Sequence, residues 1–292
     1  MQIFDLVTIG NYTKDTIVSP AGTRQVDGGG FRYSAHAAAL SGLSVAAVTH
    51  LAQEDLGTLD ALRAAGVMVF AQAGGASTLM RLEYPGTDPD QRVLSVKALG
   101  DPFSVADFDG LAARTWLVSA SVRGEAPLAV MRELANREGL LAADVQGFVR
   151  VVGDQGVLAY APWPEQAEVL ALLDVLKTDA VEAEFLTGHA DHHAAATALA
   201  AQGPREVVLT HRDGVLVLAD GDFHEAPFRP REMIGRSGRG DTCIGSYLSR
   251  RLRAGPAEAT RWAAALTSRK MEREGVVRCP LADVEDLFHS LD

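Results

Sequence analysis

The chain has 292 residues, of which 47% are hydrophobic and 22% are charged, a balance that is ordinary for a globular protein. Its formal net charge of −11 argues against nucleic acid or an anionic membrane surface as the main partner. The two cysteines, Cys243 and Cys279, fit neither a disulfide framework nor a metal-ligand pattern, which favours a reducing, cytoplasmic setting. We expect neither a signal peptide nor a membrane span, because the start lacks a basic head and no apolar run is long enough.

The first quarter of the chain alternates between strand-like and helix-like stretches. Residues 3–9 and 45–51 predict buried strands, and 67–72 predicts another. Residues 33–42 and 56–66 predict helices that end in glycine. This β-α-β-α-β order predicts a parallel sheet with helices on its faces.

A strand-rich insertion interrupts the alternation between about 75 and 100. The segments STLMRLEYPG and QRVLSVKALG are strand-like and flank the turn GTDPD, which predicts a hairpin. Together with residues 12–27, the hairpin would form a small antiparallel sheet beside the main one. Such a sheet would act as a lid over a site.

The alternation returns at residue 114 and continues to two long closing helices. The predicted strands are 114–120, 140–147, 174–179, 205–211 and 214–220, and the predicted helices are 127–139, 164–173, 181–188, 192–203, 241–255 and 256–275. We therefore predict one α/β domain over residues 1–292, doubly wound with a mostly parallel sheet, helices on both faces and the β lid.

The segment GRSGRGDTC, residues 235–243, predicts an anion site at the start of a helix. First-turn amides have no partner inside a helix, the helix dipole is positive there, and glycine lets a ligand approach the backbone. Asp241 would accept a proton from a substrate hydroxyl that attacks a phosphorus atom. The alternative is structural, because aspartate is a favoured N-cap and many helices follow glycine-rich turns.

A second glycine-rich helix start, DGGGFRYSAHAAALSG at residues 27–42, favours the functional interpretation. Two such helix starts, near opposite ends of the chain, suggest that two ligands meet. Together these segments resemble the N-terminal and C-terminal signatures of the ribokinase-like (PfkB) carbohydrate kinases, and the resemblance covers nearly the whole chain. Within that family the match looks closest to bacterial myo-inositol kinases, through residues 144–151, 177–188, 235–243 and 263–275.

The resemblance implies a kinase that uses ATP and Mg²⁺ to phosphorylate a small polyol or sugar. Asp241 would be the general base. An anion hole for the transferred phosphate would be formed by Gly238, Arg239 and Gly240 with the Asp241 amide. The substrate-binding residues implied, together with one strand-end candidate, are Asp15, Gly28, Gly29, Gly30, Tyr33 and Gln146.

The resemblance also implies a set of donor-binding residues. Glu182 matches the last acid of an Asn-x-x-Glu motif that organises magnesium and phosphates, and Asp179 stands where the asparagine is usual. Thr210 and Gly214 match a loop that packs against the nucleotide, although this loop is one residue shorter than the common form. Residues 263–268 would lie along the adenine pocket.

Two departures concern the substrate and the anion hole. Tyr33 replaces a common asparagine, which favours a differently shaped polyol over ribose or fructose. Arg239 replaces a common alanine, and it would either clamp phosphate or point to solvent.

Other candidate residues have structural alternatives. Asp144, Gln146 and Arg150 lie at the end of a strand, where α/β sheets present ligand-binding groups, but a polar turn fits equally well. Arg236 would meet phosphate or lie on the surface. In GHADHHAAA, His189 and His193 have metal-ligand spacing, yet Asp191 fits a helix N-cap better.

Competing functions remain open at this stage. They include a ribose, other sugar or nucleoside kinase of the same family, and a sensor that binds nucleotide or sugar without turnover. An NAD-dependent oxidoreductase fits poorly, because GNYTKD replaces the glycine-rich turn after the first strand. Both a monomer and a homodimer formed through the lid are compatible with the sequence.

Overall fold

In the computed structural model, the described residues are 2–20, 22–86 and 93–291. Their strands, in chain order, are β1 (Ile3–Phe4), β2 (Leu6–Ile9), β3 (Thr13–Ser19), β4 (Gly22–Gly28), β5 (Val45–Ala52), β6 (Met68–Gly74), β7 (Thr78–Glu83), β8 (Val93–Ala98), β9 (Ala112–Ala113), β10 (Thr115–Val118), β11 (Leu140–Asp144), β12 (Arg150–Val152), β13 (Leu158–Tyr160), β14 (Val175–Asp179), β15 (Glu206–Thr210), β16 (Gly214–Ala219) and β17 (Asp222–Pro227).

The helices of the same residues are α1 (Gly30–Leu40), α2 (Asp60–Ala64), α3 (Leu128–Ala135), α4 (Gln146–Val149), α5 (Gln166–Leu172), α6 (Ala180–Thr187), α7 (His192–Ala200), α8 (Arg239–Arg251), α9 (Pro256–Met271) and α10 (Leu281–His289). Short 3₁₀ turns cover Gln53–Leu59, Val105–Phe108 and Asp154–Gly156. None of these helices is long and apolar enough to span a bilayer.

The central sheet has nine strands in the order β17-β16-β15-β14-β11-β10-β2-β5-β6. Every neighbouring pair from β15 to β6 is parallel, and β16 and β17 add an antiparallel edge. Neighbouring residues of β10 belong to different hydrophobic clusters: the cluster of Trp116 includes residues of α3, α5 and α7, and the cluster of Leu117 includes residues of α1, α8 and α9. The predicted doubly wound α/β fold, with helices on both faces of a mostly parallel sheet, is thus confirmed.

The predicted lid sheet is present, but its pairing is mixed. The order is β4-β3-β7-β8, in which β3 pairs antiparallel with β4 and β7 pairs antiparallel with β8, whereas β3 and β7 run parallel. The parallel contact arises because two hairpins distant in the sequence join through strands that run in the same direction. Residues 87–90 of the predicted turn GTDPD lie outside the described residues.

Several elements of the second half have no counterpart among the sequence-based predictions, and β17 at the edge of the central sheet is one of them. β12 and β13 form an antiparallel hairpin, and α10 packs on α9 through Val284 and Phe288. The hairpin matters for the site, since its Arg150 turns toward the carboxyl ends of the central strands. The single-domain organisation over 1–292 stays a prediction.

Candidate active site

A cleft opens where the chain order of the central sheet reverses. After β2 the chain passes through α1 to β5 on one side, and after β10 it passes through α3 to β11 on the other side. The loops that follow β2 and β10 therefore diverge, and such a switch point leaves a crevice at the carboxyl ends of the strands. The cleft has a volume of about 440 Å³. Its lining includes residues at or just after four strand ends: Ser121, Gln146, Asp179 and Thr210.

The start of α8 forms one wall of the cleft. Gly238 is its N-cap, with a left-handed φ of 76° that a residue with a side chain adopts only with strain. The amide of Arg239 donates to the Arg236 carbonyl oxygen at 3.1 Å, and the anion hole of Gly238, Arg239 and Gly240 with the Asp241 amide stays a prediction. The amides of Gly240 and Asp241 remain in the first turn, where a helix presents its positive end to an anion.

The carboxyl group of Asp241 lies between α8 and the start of α1. A Cβ on Gly30 would lie 2.4 Å from Asp241 Oδ1, so only glycine leaves space there. Within the described residues, this buried oxygen has no hydrogen-bond partner. Burial raises the pKa of Asp241, although Lys177 and Arg150 oppose the shift. A buried acceptor with unused hydrogen-bonding capacity at a cleft is suited to receive a proton.

Lys177 extends from β14 to the backbone of α8. Its Nζ lies 2.8 Å from Asp144 Oδ2, and both side chains are buried. A Cβ on Gly240 would lie 2.7 Å from the same Nζ, so the ammonium borders the first turn of α8. Burial opposes the charge, but Asp144 raises the pKa of Lys177 above its ordinary value. A permanent positive charge therefore adjoins the Gly240 backbone.

Arg150, Glu182 and Asp179 form a second charged group. Arg150 donates to Glu182 Oε1 at 2.8 Å, and Glu182 Oε2 accepts the Asp179 amide at 3.0 Å. Asp179 Oδ1 in turn accepts the Glu182 amide at 2.8 Å, which completes a capping box at the start of α6. Burial raises the pKa of Glu182 to about 7, against the pull of Arg150.

This arrangement bears on the predicted magnesium site. Glu182 is fully buried and does not line the cleft, and both of its oxygens are already engaged, so it is not placed to ligate a metal directly. Asp179 is the carboxylate on the cleft wall. Within the described residues, no group of three histidine, cysteine or acidic side chains could hold a metal. The residues therefore fit a Mg²⁺ ion bound by phosphate oxygens, water and one carboxylate.

The opposite end of the cleft is built by backbone that packs closely under the lid. A Cβ on Gly28 would lie 2.5 Å from Asp15 Oδ2, and one on Gly29, whose φ is 101°, would lie 2.6 Å from the Asn11 carbonyl oxygen. Gly29 and Gly30 line the cleft with Asp15, while Gly28 lies just behind them. A side chain at Gly28 or Gly29 would therefore collide with neighbouring protein atoms, and the approach of a substrate to this backbone stays a prediction.

Tyr33 and the lid cover this end of the cleft. The Tyr33 ring packs on α8, where a Cβ on Gly238 would lie 2.2 Å from Cδ1. The lid contributes Met80, Leu82 and Leu94 to the lining, and the last two are direct partners across β7 and β8. We call Gly29, Gly30, Tyr33, Leu82 and Leu94 the lid half of the cleft.

The other half is strongly cationic. Its lining carries Arg150, Lys177, Arg212, Arg236 and Arg239, and we call these five residues the cationic half. The Arg239 guanidinium lies 5.9 Å from the centre of the Phe228 ring, so it packs along the cleft wall as well as bearing charge. The sequence drew attention to Arg150, Arg236 and Arg239. It missed Lys177 and Arg212, although a lysine inside an apolar strand was a usable signal.

Several predicted donor contacts are not brought into the cleft. Gly214 starts β16 and pairs with Pro227, and a Cβ there would lie 2.5 Å from the Ala226 carbonyl oxygen, so this glycine serves strand pairing. Residues 263–268 are fully buried inside α9, and none of them lines the cleft. The predicted adenine wall is therefore part of the core, because α9 packs against α8, β16 and β17.

The histidine-rich segment has a structural role in the described residues. Asp191 Oδ1 accepts the Ala194 amide at 2.8 Å and caps α7, as the alternative interpretation predicted. His193 Nε2 lies 2.9 Å from Glu225, and the His192 ring packs on His211. The contact with Glu225 occupies His193, one of the two histidines with metal-ligand spacing.

Comparison with known proteins decides the family. The profile described as "pfkB family carbohydrate kinase" matches residues 5–282. The chain is a member of the PfkB family. It is a ribokinase-family sugar kinase, and such kinases are phosphotransferases. Asp241 and the two glycine-rich helix starts lie within the matched residues.

Solved structures similar to this PfkB kinase include two that are described as pyrophosphate-dependent kinases in the ribokinase family. A sulfate complex matches with 33% identity and a TM-score of 0.90, over 96% of this chain and 99% of the other. A complex with a pyrophosphate analogue and myo-inositol matches with 31% identity and a TM-score of 0.89, over the same shares. A curated relative, a cytidine kinase of Thermococcus kodakarensis, is 24% identical over 265 residues, which are 88% of this chain and 91% of that protein.

Proposed function

We propose that this PfkB kinase transfers a phosphoryl group from pyrophosphate to a hydroxyl group of a cyclic polyol, with myo-inositol as the preferred acceptor. The observation that carries the donor assignment is the cationic half of the cleft, taken together with the burial of residues 263–268. Five cationic side chains suit a compact polyanion, and no adenine wall is formed by the helix expected to supply one. The sequence predicted ATP as the donor, and the experiment below compares ATP with pyrophosphate.

The acceptor assignment is supported by the lid half. The lid sheet contributes the apolar side chains of Leu82 and Leu94 and the carboxyl group of Asp15 to the lining, which suit a ring with both hydroxyl and C–H groups. The similar structure with bound myo-inositol adds support for this class of acceptor. Ribose, other sugars and cytidine remain the acceptors to be compared with it.

In the proposed reaction, Asp241 takes the proton of the acceptor hydroxyl. The hydroxyl oxygen forms a bond to the terminal phosphorus, and the bond from that phosphorus to the bridging oxygen breaks, so that inorganic phosphate leaves with the electron pair. The Gly240 and Asp241 amides and the Lys177 ammonium stabilise the charge on the transferred group. A Mg²⁺ ion held by Asp179 would neutralise donor oxygens.

The proposal is tested by product formation with a panel of donors and acceptors. Purified protein with Mg²⁺ is given pyrophosphate or ATP together with myo-inositol, ribose, fructose, adenosine or cytidine, and ³¹P NMR follows the phosphorylated product. We expect an inositol phosphate from pyrophosphate and much slower formation from ATP. Preferential turnover with ATP would overturn the donor assignment, and preferential turnover with ribose or cytidine would overturn the acceptor assignment.

Controls separate catalysis from binding. Reactions without acceptor measure the hydrolysis of pyrophosphate. The Asp60→Asn variant is the matched control for Asp241→Asn, because it makes the same change at an exposed acid whose side chain is 77% accessible. A folded protein that binds these ligands but forms no product with any pair would instead be a sensor.

A further inference from the structure

Lys270 is a fully buried lysine outside the cleft lining. Its Nζ donates to the Gly235 carbonyl oxygen at 2.9 Å. Unlike Lys177, which faces Asp144, Lys270 has no ion pair within the described residues. Burying an ammonium group without a carboxylate partner is costly, and an apolar residue of similar length would fill the space with less penalty.

The carbonyl that Lys270 binds belongs to the loop that leads into α8. The amides of Ile234 and Gly235 both donate to the Met271 carbonyl oxygen, at 2.9 Å and 3.0 Å, so the loop lies against the end of α9. Gly235 has no room for a side chain, because a Cβ would lie 2.3 Å from the Arg273 carbonyl oxygen. Lys270 therefore completes a three-bond attachment just before the anion-binding turn.

The ammonium also adjoins the site through Tyr33. Nζ lies 5.5 Å from the centre of the Tyr33 ring, and the same ring packs on Gly238, the N-cap of α8. Lys270, Tyr33 and Gly238 form a continuous path from the end of α9 to the first turn of α8. A positive charge along this path acts at low dielectric, where attraction to an anion is weakly screened.

We propose that Lys270 is a positioning residue for anion binding: its ammonium holds the loop 235–238 in place and supplies a buried positive charge behind the first turn of α8. This proposal rests on the proposed use of that turn by a phosphate-containing donor. Lys270 does not touch the reacting atoms and acts through Gly235 and Tyr33.

The charge state of Lys270 offers a readout that a packing role would not give. Burial lowers the pKa of Lys270 to about 8, while Glu274 and Asp241 favour the charged form and Arg239 opposes it. The Tyr33 hydroxyl stays neutral in this range, because burial raises its pKa. Since the folded pKa lies below the unfolded one, the positive charge is lost as the pH rises through about 8.

The experiment measures the binding of inorganic phosphate by calorimetry, which does not depend on turnover. We expect phosphate affinity of the natural protein to fall as the pH rises through about 8, and Lys270→Met to weaken phosphate binding about tenfold at pH 7, the scale of a charged hydrogen bond. The melting temperature of Lys270→Met should stay the same or rise. Lys97→Met, at an exposed position of β8, should bind phosphate normally.

Lys270→Arg keeps the charge at alkaline pH and is the second variant. We expect its phosphate affinity to persist above pH 9. In the Lys270→Ala variant, we expect added methylammonium to restore part of the lost phosphate affinity.

Unchanged phosphate binding in Lys270→Met would overturn the proposal. If Lys270→Met does not fold, an alkaline loss that is the same in Lys270→Arg as in the natural protein would overturn it. Phosphate binding without kinase turnover would count against the proposed function and leave this proposal standing.

Discussion

The two halves of the cleft bind by different physical means. The cationic half depends on charges fixed to the sheet and its connections, with Lys177 held by Asp144 and Arg150 held by Glu182. The lid half depends on shape, through glycines that admit a ligand to the backbone and leucines from a separate small sheet. A charged donor needs preorganised charges in a dry site, whereas a neutral polyol needs a surface of matching form.

The largest expected effect is the loss of a buried partner in the cationic half. Lys177→Met leaves Asp144 buried without its cation, so we expect the free energy of unfolding to fall by about 3–5 kcal/mol. Pyrophosphate turnover should fall as well. Chemical denaturation and steady-state kinetics measure the two effects.

The double variant Lys177→Met with Asp144→Leu separates stability from function. We expect it to recover most of the lost stability, because no charge is left unpaired, while turnover stays low. Recovery of turnover together with stability would show that the pair acts only in folding.

The next largest effect concerns Asp241, which lies where the halves meet. We expect Asp241→Asn to lose on the order of 10²-fold in turnover, the scale of a lost general base, and to keep its affinity for the donor. Rapid-quench kinetics and equilibrium binding of pyrophosphate test both parts. Near-normal turnover would place the base elsewhere.

A smaller effect is expected for a change that affects the donor alone, since the two halves of the cleft are assigned to different ligands. Gly240→Ala places a methyl group 2.7 Å from Lys177 Nζ, so we expect the KM for the donor to rise about tenfold and the KM for the acceptor to change little. The matched control is Gly57→Ala, where a Cβ meets no atom within 4 Å. Equal increases for both ligands would mean that the halves do not act separately.

The converse change is Leu94→Ala in the lid. A loss of apolar contact with the polyol equal to one buried methylene group, about 0.8 kcal/mol, should raise the KM for the acceptor about fourfold. The KM for the donor should stay constant. A change confined to the donor would contradict the assignment of the halves.

The smallest expected effect is a shift of the pH at which kcat/KM falls on the acid side. Asp241 acts as a base only when ionised, and burial raises its pKa above the ordinary aspartate value of 3.8. Activity should therefore fall on acidification at a pH above that value. The measurement is kcat/KM against pH, and an acid limb at or below pH 3.8 would contradict the buried base.

Much of the fold followed from local pattern. Alternating apolar strands and glycine-terminated helices predicted the parallel sheet, and the glycine-rich segments around Gly30 and Gly240 predicted two helix starts. These features were readable because each depends on residues within one turn or strand. The predicted N-cap role of Asp191 was local in the same sense, and the structure confirmed it.

Other features depended on contacts between distant segments. The sequence determined that Asp241 begins a helix, but the tertiary structure decided that Gly30 packs against its carboxyl group and that Lys177 adjoins Gly240. The same holds for α9, whose residues 263–268 read as a pocket wall and became core because neighbouring elements cover them. Burial and long-range electrostatics are properties of the packed molecule, so the chemistry that depends on them emerges only once the chain is folded.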